Sequence, residues 1–366
     1  MNNIKFSIIT VVYNNVFTIE NTIKSVLAQT YDNIEYIIID GGSNDGTLEI
    51  IKKYGNKISK WISEPDEGIY DAMNKGILMS TGEVIAFLNG DDWYDPCALA
   101  YVADRFKDSS LQILFSNIML VNNDKIRKAE EVTADRISLM SKYMTVYHPG
   151  TFAKRELFFV HGLFDTRYKI AADYEWILRV IKANPVMMYC DEITTYFSMA
   201  GISNTRQREV YKEAMEIALQ YADEEEKEDI RCYYEEKGML FQYKDILDGS
   251  VEIALSNEII KIPPDRKVYL FGTGKIGTEC LKLIKKIEIN VEGFIDNNDK
   301  IWGDRYNGLM VYSPARLDYH QDFVIIASTM YEKEIKQQIE SMGFKQNDQF
   351  CLYSKIRADV IRNYLI

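Results

Sequence analysis

Basic residues are in deficit. The chain sets 43 Lys and Arg against 55 Asp and Glu, a formal charge of −12 over 366 residues, and no basic cluster is longer than Lys282, Lys285 and Lys286. Such a balance repels a phosphate backbone and excludes nucleic acid as the main partner. Cysteine is scarce: Cys97, Cys190, Cys232, Cys280 and Cys351 are odd in number, lie tens of residues apart and never form C-x-x-C. That argues against a disulfide framework and against a zinc site, and it points to a reducing cytoplasm. Apolar runs of about 18 residues, the length that spans a bilayer, are absent. Met1-Asn-Asn-Ile-Lys5 leads straight into a strand-like run, without the parts of a secretory leader. The expectation is a cytoplasmic protein that does not cross a membrane. Peripheral contact with the inner face of a membrane stays open, although no amphipathic basic helix supports it. With 47% apolar and 27% charged residues, disorder, collagen and coiled coil are excluded as the main theme, and the length calls for at least two domains.

From Phe6 to about Trp93, short apolar runs alternate with segments of helical period, as in a sheet built from strand-helix-strand units. Phe6-Ser-Ile-Ile-Thr-Val-Val-Tyr13, Tyr36-Ile-Ile-Ile-Asp40 and Val84-Ile-Ala-Phe-Leu88 are continuous rather than alternating, which implies strands covered on both faces. After Asp92 the pattern loosens. Hairpin-like runs at Leu111 to Val121 and Val186 to Ser198 surround a helix that starts near Asp173, with Tyr174, Ile177, Leu178 and Ile181 at helical spacing. Residues 207–262 turn helical and acidic, most strongly over Asp223-Glu-Glu-Glu-Lys-Glu-Asp229, which reads as a solvated connector. Pro263-Pro264 ends it, and Lys267-Val-Tyr-Leu-Phe271 restarts a strand-helix alternation. The predicted layout is an α/β domain over 1–206, the connector over 207–262 and a small α/β domain over 263–366.

Chemistry concentrates at strand ends. Val84 to Trp93 is a buried run that ends in Asn89-Gly90-Asp91-Asp92, which puts two carboxylates at the carboxyl end of a strand, where open α/β sheets bind ligands. Strand neighbours point to opposite faces, so Gly90 is expected to bend the chain until one carboxylate reaches a divalent cation and the other orients water or substrate. Oxygen-only ligation favours Mg²⁺ or Mn²⁺. An isolated Asp-Asp pair is ordinarily a turn or a helix cap. A second acidic strand end, Tyr36-Ile-Ile-Ile-Asp-Gly-Gly-Ser-Asn-Asp-Gly-Thr47, changes that weighting, since Asp40 is placed to accept a hydrogen bond from the ring N–H of a base. Ser43 and Asp45 in the same segment read as turn and cap residues.

These segments resemble the family 2 glycosyltransferases, inverting enzymes of GT-A fold, over about residues 4 to 205. Ser7-Ile-Ile-Thr-Val-Val-Tyr-Asn14 resembles the family's first strand, which implies Thr10, Tyr13 and Asn14 against base and ribose. Asp40 matches the acid that contacts uracil in many members, and Glu67-Gly-Ile-Tyr-Asp-Ala-Met-Asn-Lys-Gly76 resembles the segment whose Asp71 and Asn74 border the nucleoside. Asn89-Gly90-Asp91-Asp92 falls where the family carries Asp-x-Asp. Asn89 replaces the first acid, which leaves Asp91 and Asp92 as metal ligands, with Asp91 also toward the nucleotide. His148-Pro-Gly-Thr-Phe152 is similar to the acceptor-side strand, and Ala171-Ala-Asp-Tyr-Glu175 to the segment that holds the catalytic base.

The resemblance implies transfer of a sugar from a nucleoside diphosphate, most simply UDP, to a saccharide or lipid-linked acceptor in bacterial surface polysaccharide synthesis. A divalent ion would neutralise the departing diphosphate, and a carboxylate on the opposite face would take the acceptor's proton. Asp173 is the expected base and Glu175 the reserve, although an Asp before a helix also serves simply as a cap. His148 is assigned to acceptor or phosphate contact, and Gly201-Ile-Ser203 with Arg206 or Arg208 to a loop over the diphosphate. Trp93 and Tyr94 read as sugar-stacking residues or core lids.

Phe271-Gly-Thr-Gly-Lys-Ile-Gly277 follows a strand, opens a helix and is followed by Asp296 at the next strand end. It resembles small Rossmann-like domains appended to bacterial sugar-modifying enzymes. Gly272, Gly274, Gly277 and Asp296 therefore form a second candidate nucleotide site, with packing glycines as the plain alternative. Two other functions compete: an NAD-dependent oxidoreductase built on this fingerprint, for which too little chain follows, and an inactive nucleotide-sugar-binding scaffold suggested by Asn89. Oligomeric state is not legible.

Overall fold

The computed structural model describes residues 3–122, 125–201, 205–250, 260–328 and 330–364. The chain divides into two compact units, Met1–Tyr234 and Glu235–Ile366. The division falls inside the stretch read as a connector, so its first part is integral to the first unit.

The first unit is built on a nine-stranded sheet. Its strands are β1 (Phe6–Val12), β2 (Ile34–Asp40), β3 (Lys60–Ser63), β4 (Val84–Phe87), β5 (Trp93–Tyr94), β6 (Ile113–Asn122), β7 (Lys125–Lys128), β8 (Thr151–Lys154) and β9 (Met187–Ser198). They run in the order β3-β2-β1-β4-β8-β6-β9-β5, with β7 paired to β6. β3, β2, β1 and β4 are mutually parallel. The apolar runs are continuous because both faces are covered: along β1, Ile9 and Val11 enter one core cluster while Phe6, Ile8 and Val12 enter another. Period-2 alternation thus sends neighbours to opposite faces of the same sheet. The two runs read as hairpin-like are corrected here. β6 and β9 are parallel neighbours, joined by a crossover that includes the helices Arg155–Val160 and Ala172–Ile181; the true hairpin partner of β6 is β7.

Register brings the strand ends of interest together. Val12 pairs with Asp40 and Ile9 with Phe87, so the residues after β1, β2 and β4 emerge along one edge. Gly90 is required there: a Cβ would come within 2.8 Å of a Val12 methyl, which lets the Asn89–Asp92 turn lie flat over β1.

The second unit carries β10 (Lys267–Phe271), β11 (Val291–Ile295), β12 (Arg305–Tyr306), β13 (Leu309–Tyr312), β14 (Asp322–Ile326) and β15 (Phe350–Leu352). Their order is β12-β13-β11-β10-β14-β15, parallel except for β12. Core residues lie on both sides of this sheet as well. Among the described residues, no helix is long and apolar enough to cross a membrane.

Candidate active site

The carboxyl edge of β1, β2 and β4 forms the first half of the site. Tyr13 is 62% exposed at the end of β1. Asn14 takes a left-handed backbone (φ 49°), its N–H donates to Ser43 Oγ at 2.7 Å, and its Oδ1 accepts from the Asn44 N–H at 2.9 Å. Asn14 thereby laces the loop after β1 to the loop after β2, and Asp45 adds a bond from the Val16 N–H at 3.0 Å.

Two residues expected at the nucleotide point inward instead. Thr10 is fully buried, with Oγ1 3.2 Å from Tyr36 Oη, because its position on β1 faces the same core layer as Ile8 and Val12. Asp40 is also fully buried. Its oxygens accept from Ser43 Oγ and Ser63 Oγ, each at 2.5 Å, so the acid organises two loops rather than facing the crevice. The acid packed against the glycine turn after β2 is Asp66. A Cβ on Gly41 would lie 2.4 Å from Asp66 Oδ2 and 3.4 Å from the Tyr13 ring, which brackets Gly41 between those side chains. Pro65-Asp66-Glu67-Gly68 looks like an ordinary turn in sequence, and nothing local marked Asp66.

Asp71 and Asn74 lie on the helix Ile69–Met79. Asp71 accepts from the Glu67 N–H at 3.2 Å and pairs with Lys75 at 3.3 Å. Asn74 is not directed to a ligand: its amide forms a reciprocal pair with the Phe164 backbone, at 2.9 and 3.0 Å.

The Asn89–Asp92 turn separates its two carboxylates as Gly90 suggested. Asp91 stays partly exposed, and the loop after β9 comes close, since a Cβ on Gly201 would be 3.6 Å from Asp91 Oδ2. Asp92 is fully buried. Its Oδ1 accepts from the Ser198 N–H at 2.9 Å, while Oδ2 has no hydrogen-bond partner. Asn89 Oδ1 is buried and unpartnered too. Burial raises the Asp91 carboxyl above the usual range; burial, with the neighbouring Asp91 charge, raises Asp92 well above it. Orphaned buried acceptors are costly, and two in one turn suit a hard cation. Among the described residues no cluster of three or more His, Cys, Asp or Glu could hold a metal. One or two carboxylates completed by substrate phosphates are nevertheless an ordinary Mg²⁺ arrangement, and this donor set fits it.

The second half assembles around Asp173, in the first turn of the helix Ala172–Ile181. Tyr70 Oη lies 2.8 Å from Asp173 Oδ1 and 2.8 Å from the Ile170 carbonyl oxygen, so one phenol bridges the acid and the segment before it. Burial and the Asp173 charge push the Tyr70 hydroxyl well above its usual pKa, which keeps it a donor. His148 is buried, stacks on Phe87 at 5.1 Å and meets Phe164 edge-on at 5.9 Å. Burial lowers its pKa, partly opposed by Asp173. Glu175 is removed from the site: it is buried and held by Arg179 at 2.8 Å and by the Tyr221 hydroxyl. Arg208 sits on the exposed start of the helix Gln207–Tyr221, and Ser203 falls outside the described residues. Tyr94 is buried and stacks on Phe152 at 6.2 Å, whereas Trp93 stacks on Tyr196 at 5.4 Å; both rings are engaged within the protein.

In the second unit, Gly272 has φ +116°, and a Cβ there would sit 2.8 Å from the Ala327 carbonyl; at Gly277 it would strike the Gly272 carbonyl at 2.0 Å. Packing alone requires both glycines. Gly274 faces open space, but Asp296 is engaged by Thr273, at 3.0 and 2.8 Å, and by the Asn298 N–H at 2.9 Å.

Residues 7–163 match Glycosyl transferase family 2, and residues 264–349 match C2185-like, N-terminal. An uncharacterized glycosyltransferase of Mycobacterium tuberculosis is 32% identical over 207 residues, which covers 55% of this chain and 78% of the relative. A PGL/p-HBAD biosynthesis glycosyltransferase of Mycobacterium bovis is 28% identical over the same length, 55% of this chain and 79% of that one. The crystal structure of S. aureus TarS 1–349 in complex with UDP-GlcNAc has a TM-score of 0.52 at 20% identity, over 68% of this chain and 76% of that chain. In another crystal structure of S. aureus TarS this chain spans 43% of the protein. A parallel half-sheet with a glycine-bent acidic turn at its edge, a mixed half whose crossover helix carries a second acid, and these sequence matches lead to one assignment: the chain belongs to the family 2 glycosyltransferases, with a GT-A first unit followed by a small second sheet domain.

Proposed function

We propose that this glycosyltransferase is inverting and metal-dependent, and that it moves a sugar from a UDP-sugar to a saccharide or lipid-linked acceptor in bacterial surface polysaccharide synthesis. The observation that carries the metal-dependent donor site is the unpartnered Asp92 Oδ2 beside the partly exposed Asp91. Asp91 and Asp92 would hold Mg²⁺ or Mn²⁺, which when bound supplies charge neutralisation for a departing diphosphate. The TarS structure bound to UDP-GlcNAc supports a nucleotide-sugar donor by likeness of fold, and the relative named a PGL/p-HBAD biosynthesis glycosyltransferase supports sugar transfer in a biosynthetic sequence.

The chain's own residues then have distinct tasks. Tyr13 and Asp66 close over the backbone at Gly41, and a base would lie against these two side chains, while the loop laced by Asn14 keeps that edge in register. Across the crevice the Asp173 carboxylate takes the proton as the acceptor oxygen bonds to the anomeric carbon, while the bond from that carbon to the diphosphate oxygen breaks and the nucleoside diphosphate leaves with the electron pair. Attack opposite the leaving group inverts the anomeric centre. Tyr70 holds Asp173 Oδ1 and directs the other oxygen to the acceptor. His148, kept neutral by burial, contributes a hydrogen-bonding face without adding charge.

The test is a panel of nucleoside diphosphate sugars, with and without Mn²⁺, on the intact chain, scored by melting temperature and by release of the nucleoside diphosphate. UDP-sugars stabilised and turned over only with metal, and product of inverted anomeric configuration, are expected. Metal-independent turnover or retention of configuration would overturn the reading.

A further inference from the structure

The helix Gln207–Tyr221 belongs to the stretch that the sequence presents as a connector, yet it places a carboxylate directly behind the acceptor half of the site. Glu213 accepts three consecutive backbone N–H groups: Lys169 at 2.8 Å through Oε1, and Ile170 at 2.9 Å and Ala171 at 3.0 Å through Oε2. These residues immediately precede the helix Ala172–Ile181, whose second residue is Asp173. N–H groups at a helix start lack partners within the helix and carry the positive end of its dipole. A carboxylate that collects three of them is a charge-assisted clamp with little freedom to shift.

The clamp is one bond removed from the catalytic geometry. Glu213 fixes the N–H of Ile170; the carbonyl of Ile170 accepts from Tyr70 Oη at 2.8 Å; and that hydroxyl also meets Asp173 Oδ1 at 2.8 Å. The helix Glu224–Asp248 meets the segment that leads to His148 through side chains instead, with Lys142 paired to Asp229 at 2.5 Å and Tyr143 stacked on Tyr233 at 4.9 Å. Among the described residues, the hydrogen bonds of Glu213 go to this segment and not to the donor edge.

We propose that Glu213 is a positioning residue for sugar transfer, holding Lys169–Ala171 so that Asp173 and Tyr70 stay aligned with the acceptor hydroxyl. The proposal rests on reading Asp173 as the base. It assigns to the acidic helix a role in the reaction rather than in linkage.

The experiment uses the full chain with Mn²⁺, the UDP-sugar it hydrolyses fastest and water as acceptor, following UDP release. Misplacing a reacting group by about 1 Å costs up to about 100-fold, so Glu213→Ala is expected to lower kcat by about tenfold or more while KM for the UDP-sugar stays within about twofold. Glu213→Gln keeps one acceptor oxygen, enough for the pair of N–H groups at Ile170 and Ala171, and is expected to recover most of kcat; amide exchange at Ile170 and Ala171 should quicken in the Ala variant but not in the Gln variant. If Glu213→Ala does not fold, Glu213→Asp retracts the carboxylate by one methylene and carries the same expectation. A lowered melting temperature with unchanged kcat overturns the proposal, because a cap that serves stability alone gives that pattern. Asp173→Asn separates the two readings. If it is inactive while Glu213→Ala turns over normally, only the clamp proposal fails; if it is fully active while Glu213→Ala is impaired, the base assignment fails and the positioning of the segment stands.

Discussion

Each unit contains a parallel sheet with a glycine turn and an acid at its strand ends, but the two edges are finished differently. In the first unit, β4 ends in a turn that leaves Asp92 Oδ2 and Asn89 Oδ1 buried without partners. In the second, Asp296 is closed off by Thr273 and Asn298, and among the described residues every unpartnered buried side-chain polar atom lies in the first unit. The second unit also holds a cavity of about 260 Å³ between two helices, lined by Lys244, Leu247 and Asp248 from one and by Lys275, Thr278, Glu279 and Lys282 from the helix that follows the glycine turn. A glycine turn followed by an acid is therefore common property of such sheets. Unsatisfied acceptors at the edge are what distinguish a place that expects a ligand from one that is complete without it.

The contrast can be broken most decisively at Asp173. Asp173→Asn should reduce transfer by about 100-fold or more, the usual contribution of a positioned base, while metal-dependent UDP binding, read by calorimetry, stays intact. Gly272→Val should act on the other unit alone: the positive φ and the 2.8 Å approach of the Ala327 carbonyl should destabilise the second unit by on the order of 1–3 kcal/mol, seen in its unfolding transition, with donor affinity unchanged.

Asp92→Asn sharpens the comparison from the other side. Because burial raises its pKa, the folded chain holds the proton more tightly than the unfolded chain does, so the metal-free protein loses stability as pH rises from about 4, the ordinary Asp value. Removing the charge should stabilise the metal-free protein at neutral pH by about 1 kcal/mol and abolish the response to Mn²⁺, measured as melting temperature against pH with and without metal. The smallest effect concerns His148. Its lowered pKa means that the unfolded chain takes up a proton first, so stability should fall below about pH 6.5, and His148→Gln should flatten that limb in a thermal titration.

The donor edge was the legible half of the fold. Continuous apolar runs, a strand-ending glycine and adjacent acids are local signals, and they placed β1, β2 and β4 and the Asn89–Asp92 turn. What local reading could not decide was the direction of each side chain: Thr10 and Asp40 look like ligand residues until the sheet period and the two serines turn them inward. The acceptor half depends on contacts between distant residues. Tyr70 meets Asp173 across 103 positions, Asn74 meets Phe164 across 90, and Glu213 reaches back 42 to 44. Tyr70 carried no signal of its own, Asn74 read as a ligand residue, and Glu213 went unmarked within the acidic helical stretch. No spacing rule links a carboxylate to N–H groups so far upstream; only the packing of the helix Gln207–Tyr221 reveals it.

The central claim is that the Asn89–Asp92 edge, not the glycine turn of the second unit, is where a nucleoside diphosphate sugar binds through a divalent ion. It is tested most directly by titrating the intact protein with UDP, with and without Mn²⁺, in the wild type, in Asp91→Asn/Asp92→Asn and in Asp296→Asn. The account predicts Mn²⁺-dependent stabilisation of about 2.7 kcal/mol at 100 times the Kd in the wild type and in Asp296→Asn, and none in the double variant. Stabilisation that survives Asp91→Asn/Asp92→Asn and disappears in Asp296→Asn would contradict it.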